Sequence, residues 1–149
     1  MKKLLLIFFC FLSFATISHA EDCNLKGLKH LFALLEKDIT AGDSTYASSF
    51  EYINKNSVNL KADVIQVIED TDTTSLFLAH VYEGEKMKSL TAMIQTVDEI
   101  VYDGKEFENL RCFLVGTFTY SNKLNEEKTV PLYFTLDQLL NFILKKITQ

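Results

Sequence analysis

The chain has 149 residues, with 15 Lys plus Arg against 20 Asp plus Glu, three histidines, three cysteines, one proline and no tryptophan. That composition excludes a collagen, a coiled coil or a disordered tail, and the length suits one compact domain. Acids exceed bases, the lysines are scattered and Arg111 is the single arginine, so the clustered cationic surface that nucleic acid or anionic lipid requires is missing and neither is an expected partner.

Lys2 and Lys3 precede an uncharged apolar run from Leu4 to Ala15, and Ser18-His19-Ala20 places small residues at the two positions a signal peptidase reads. The run is shorter than the roughly 20 residues that span a bilayer. Residues 1–20 are therefore expected to be a cleaved Sec-type signal, and residues 21–149 a single α+β domain, periplasmic or secreted from a bacterial cell. Neither Cys10 nor Cys23 stands in a lipoprotein pattern. Removal of Lys2 and Lys3 with the signal leaves 13 basic against 20 acidic side chains, a formal charge of −7. Charges interrupt every later apolar run, so no stable membrane span is expected after signal removal.

The mature chain keeps Cys23 and Cys112, 89 positions apart, with no Cys-x-x-Cys and no adjacent histidine. In an oxidising compartment an even pair points to one disulfide, Cys23–Cys112, rather than to zinc or a redox pair.

Leu25 to Ile39 has helical periodicity. Leu25, Leu28, Leu31, Phe32, Leu35 and Ile39 share one side, and Lys26, Lys29, His30, Glu36 and Lys37 lie on the polar side. Gly42 suits the end of this helix, and Asp43 or Ser44 can cap a second, shorter one through Tyr46, Phe50 and Ile53. From Ser57 onward short runs rich in Val, Ile, Thr, Phe and Tyr alternate with polar turns. They predict strands at Leu60–Ile68, Ser75–Tyr82, Met87–Val97, Glu99–Tyr102, Leu110–Tyr120 and Thr129–Phe134. Every connection is of hairpin length, Asp103-Gly104 suits positive φ, and no crossover helix intervenes, which predicts a curved antiparallel meander of five or six strands. Pro131 belongs on an edge or facing outward. Thr135-Leu136-Asp137-Gln138 then opens a C-terminal helix with Leu136, Leu139, Leu140, Ile143 and Ile147 in one stripe, widened by Phe142 and Leu144 and expected to be core. The expected architecture is a helical hairpin packed on the meander, with a C-terminal helix. This element order resembles nuclear-transport-factor-like and cystatin-like cones, folds that host pocket binders, inhibitors and enzymes alike.

Chemistry is sparse. His30 falls on a polar helix face, and His80 alternates with Leu76, Leu78 and Tyr82 on one strand face. Two groups of carboxylates, Glu69/Asp70/Asp72 and Asp98/Glu99/Asp103, flank turns without the spacing of a calcium loop, and solvated hairpin tips account for them. No hydrolase, phosphate-loop or metalloprotease pattern occurs, so no catalytic residue, metal or cofactor is assigned. The predicted strands Ser75–Tyr82 and Leu110–Tyr120 are apolar on both faces. That pattern calls for a sheet curled around a small apolar ligand or a face covered by a protein partner, and hence a non-enzymatic binding or accessory protein of the cell envelope. The alternative is a small periplasmic hydrolase using His80 with a carboxylate.

Overall fold

The computed structural model describes residues 19–84 and 90–148. In chain order the elements are β1 (His19–Asn24), α1 (Lys26–Thr40), α2 (Ala47–Asn56), β2 (Ser57–Asp70), β3 (Thr74–Glu83), β4 (Leu90–Val97), β5 (Glu106–Ser121), β6 (Glu127–Thr135) and α3 (Leu136–Ile147). The expected signal lies mostly outside the described residues, and the expected cleavage point after Ala20 falls within β1.

The helical hairpin forms as its sequence predicts. Leu28, Leu31 and Leu35 bury one side of α1, although Ile39 is exposed. Gly42, at φ 70°, turns the chain out of the helix in a conformation that costs a residue with a Cβ more. Asp43 then accepts hydrogen bonds from the Thr45 hydroxyl (2.6 Å), the Thr45 amide (2.9 Å) and the Ala47 amide (3.2 Å), and these, led by the Thr45 hydroxyl, hold its carboxyl below the usual range. A second carboxylate ties the helices together. Asp38, buried on α1, accepts from both the amide (3.1 Å) and the hydroxyl (2.7 Å) of Ser49 in the first turn of α2. Gly27 lets α1 approach β5, since a Cβ there would meet the Leu114 carbonyl and the Val115 backbone.

The sheet is not a pure meander. β2 pairs antiparallel with β3, and β3 with β4, as expected. β5 then returns to pair with β2, and β6 lies between β5 and β4, antiparallel to the first and parallel to the second. The ring β2-β3-β4-β6-β5 closes on itself as a five-stranded barrel, and β1 adds to the free edge of β5 beyond its pairing with β2. This closure completes the expected curvature of the sheet and adds a parallel pair to the expected meander. Glu99–Tyr102, expected as a strand, is loop instead. Asp98 enters it at φ 54°, and only Val101 turns inward, packing against the barrel core.

Closure explains the two-sided apolar strands. Leu60, Ala62 and Val64 of β2, Phe77, Ala79 and Val81 of β3, Ala92 and Ile94 of β4, and Phe107 and Cys112 of β5 fill the barrel. The outward residues Leu76, Leu78, Met93, Phe113, Val115, Phe118 and Leu132 meet α1, α2 and α3 in a second core. A bulge between Leu114 and Gly116 shifts the β5 alternation. Phe113 and Val115 consequently share a core with Phe118, whereas Leu114, which strict alternation would put on the face of Phe118, is exposed.

Thr135 caps α3 by accepting from the Gln138 amide, as its capping pattern predicts. Only part of the apolar stripe is core. Leu139 and Ile143 are buried, and Phe142 stacks on Phe32 of α1 with ring centroids 5.8 Å apart, but Leu140 is 37% and Leu144 59% exposed. The sequence expectation that Leu140 is a core residue is corrected, because the stripe is wider than the surface that receives it. Leu139→Ala is expected to lower stability by about 2–5 kcal/mol, and Leu140→Ala by less than about 1 kcal/mol, measured by urea denaturation. Equal losses would contradict this packing.

Candidate functional site

The histidines lie on different surfaces. His30 is exposed on α1, with its ring 4.6 Å from that of Tyr52 on α2. His80 is exposed on β3. The strand registers set His80 directly opposite Asp63 of β2 on one side and Thr91 of β4 on the other, and Asp63 is in turn opposite Glu106 of β5. Residues directly opposite in an antiparallel pair project to the same face, with Cβ atoms about 4.5–5.5 Å apart. The sheet thus brings a carboxylate and a hydroxyl to the two flanks of one imidazole, which no sequence pattern predicts. The Oδ1 atom of Asp63 is buried and has no hydrogen-bond partner, so the carboxylate is not engaged by His80 through that atom.

Cys112 is a free thiol with no solvent exposure, inside the barrel. The side chain of Cys23 lies outside the described residues, and its backbone sits opposite Phe118, six positions along β5 from Cys112. At about 3.3 Å per residue that offset is roughly 20 Å, so a bridge between the two requires β1 to move along β5.

The two carboxylate groups picked out in the sequence converge at one end of the barrel. The loop from Asp98 to Lys105 leaves β4 with the Asp98 amide donating to the Thr73 carbonyl (2.9 Å) in the β2–β3 turn. It then runs beside β2. Gly104 donates to the Val64 carbonyl (2.9 Å), the Val64 amide to the Lys105 carbonyl (2.8 Å), and the Val67 amide to Asp103 Oδ1 (2.8 Å). Gly104, at φ 88°, makes the turn closed by the Lys105 amide and the Tyr102 carbonyl (3.1 Å), in line with the Asp-Gly expectation. Glu69 lies on the adjoining stretch of β2. Its Oε2 atom is buried without a partner, and burial raises its carboxyl above the usual range.

Lys105 holds the loop from beneath. Its ammonium pairs with Glu99 at 3.4 Å, donates to the Ile100 carbonyl, and sits 4.7 Å from the Phe107 ring centroid and 5.8 Å from that of Tyr102. The loop turns Val101 inward and leaves its neighbours out, with Ile100 81% and Tyr102 59% exposed; Ile65, at the β2 bulge beside the loop, is also exposed. Other apolar side chains are exposed elsewhere, but here two of them, with Ile65 beside them, stand on a well-anchored loop, an arrangement that packing leaves unexplained. Its sequence signal is three consecutive apolar residues, Ile100-Val101-Tyr102, inside an acidic segment; strand periodicity absorbs them into a β-strand.

Among the described residues, no three His, Cys, Asp or Glu side chains come together as a metal site, and no helix is long and apolar enough to cross a membrane. No protein family, curated protein or solved structure matches the chain.

Burial pushes the Cys112 thiol up to about 12 from an ordinary value of 9.0. The folded protein therefore keeps a proton that the unfolded chain releases, so the contribution of this group to stability is complete below about pH 9 and declines as pH rises towards about 12. In the native protein at about pH 8, Cys112 is expected to resist iodoacetamide, and in urea without reductant it is expected to be alkylated, as read by intact mass. Protection that persists in urea until reductant is added would instead report the Cys23–Cys112 bridge.

Proposed function

We propose that the chain is an exported, non-enzymatic binding or accessory module of the bacterial cell envelope that docks a protein partner through the Asp98–Lys105 loop. Export is supported by the basic start, the uncharged run and the small residues before Ala20. The observation that carries docking is the anchored loop tip, where Ile100 and Tyr102 remain in solvent although the loop is fixed by backbone hydrogen bonds and by Lys105. Holding the backbone that carries the exposed apolar side chains in one conformation lowers the ordering cost that binding must overcome.

A protein partner suits this barrel better than a small apolar ligand in its interior. About eight strands give an interior just wide enough for side chains to fill or for one small ligand. Five strands enclose less, and here Phe77 and Phe107 stack at 5.7 Å within a set of buried aliphatic residues.

The hydrolase alternative has one observation in its favour, the placement of His80 between Asp63 and Thr91. His80→Gln separates the two readings, because it removes the base without touching the loop. A photo-crosslinking side chain placed at Ile100 or Tyr102 in the native envelope is expected to capture a partner, and one at the equally exposed Leu124, in the β5–β6 turn, is not. His80→Gln is expected to leave that adduct and any phenotype unchanged. Equal capture from all positions would overturn docking through this loop, and loss of phenotype in a folded His80→Gln protein would favour the enzyme.

A further inference from the structure

We infer that the partner segment is a cationic amphipathic peptide stretch, with aliphatic side chains that meet Ile65, Ile100 and Tyr102 and Lys or Arg side chains that meet the surrounding carboxylates. The inference rests on the docking reading above and adds the chemistry of the partner. Asp72, Asp98, Glu99 and Asp103 are all exposed around the apolar tip. The β2–β3 turn and the Asp98–Lys105 loop contain a single cation, Lys105. That cation is already committed, with Glu99 on one side, the Ile100 carbonyl on another, and the Phe107 and Tyr102 rings within cation–π range.

The excess of negative charge is therefore not balanced from within. Asp98 reaches the β2–β3 turn through its amide and Asp103 reaches β2 through Oδ1, so the backbone fixes these carboxylates close to the apolar tip. A neutral or acidic partner that covered this tip would bring uncompensated carboxylates into a drier environment or set like charges together, and both are unfavourable. A basic partner gains at the same place, and its approach is accelerated by the negative field.

The test uses isotope-labelled mature protein, titrated with a synthetic peptide of alternating leucine and lysine and, separately, with its counterpart in which glutamate replaces lysine. The lysine peptide is expected to shift the amide resonances of Ile65 and of residues 98–105, and to bind about tenfold more weakly when salt is raised from about 50 to about 500 mM. The Asp72→Asn, Asp98→Asn double variant keeps at position 98 a residue tolerant of positive φ and is expected to weaken binding by about threefold to tenfold. The Ile100→Ser, Tyr102→Ser double variant retains every charge and is expected to weaken it by at least about tenfold. Undiminished binding by the serine variant would mean attraction to bulk negative charge and would overturn the proposal, as would shifts confined to another surface. Binding of the glutamate peptide at the same loop would overturn the cationic assignment and leave docking standing. Failure of both peptides to perturb the loop would count against both.

Discussion

Five strands joined by hydrogen bonds into a ring cannot alternate in direction all the way round, so at least one neighbouring pair must be parallel. In this protein that pair is β4 with β6, joined through Met93 opposite Leu132, Ile94 opposite Tyr133 and Gln95 opposite Phe134. The contact is only three positions long, yet it converts a row of hairpins into a barrel and abolishes the two edges an open sheet would expose. Pro131, which has no amide proton to donate, sits just before this pairing and opposite Thr117 of β5.

Once the ring is closed, each strand has an inside and an outside, and both are apolar for separate reasons. The inside is a small core packed around Phe77 and Phe107, and the outside of β5, β6 and β4 carries the three helices. Bulges match the strand alternation to these surfaces. Those between Val64 and Gln66 and between Val67 and Glu69 change the face that β2 presents, and the bulge between Leu114 and Gly116 does the same for β5. The helical hairpin reaches β5 only because Gly27 has no side chain in the way, and its two helices are held by the paired hydrogen bonds from Ser49 to Asp38.

The same closure sets the chemistry of the surface. The connection from β4 to β5 must cross the end of the barrel, and it does so without a helix, stapled to β2 and to the β2–β3 turn. Val101 seals the end against solvent, which obliges the adjacent Ile100 and Tyr102 to point outward. The result is an apolar tip within a ring of carboxylates, built from two turns that are about thirty residues apart in the chain. The row of Glu106, Asp63, His80 and Thr91 arises in the same way, from registers that lay four strands side by side.

The amino-acid sequence by itself determined the local structure. The apolar spacing of α1, Gly42 at its end, the hairpin of β2 and β3 and the capped helix from Leu136 to Ile147 all follow from periodicity and turn chemistry, which act over a few residues; the N-cap of α2 does not, since Tyr46, not Asp43 or Ser44, takes that position. Tertiary structure decided the rest. Alternation cannot reveal which distant strand receives β6, so a meander and a closed Greek-key barrel share one pattern of runs and turns, and the apolar Ile100-Val101-Tyr102 segment scores as a strand until barrel closure makes Val101 a plug. The stripe on α3 likewise gives no measure of how wide a surface awaits it, so the burial of Leu139 and the exposure of Leu140 were settled only by docking. The convergence of the two acidic turns and the flanking of His80 by Asp63 and Thr91 depend on pairings across the sheet, and those are set by the free energy of the whole packed barrel rather than by any residue's neighbours in the chain.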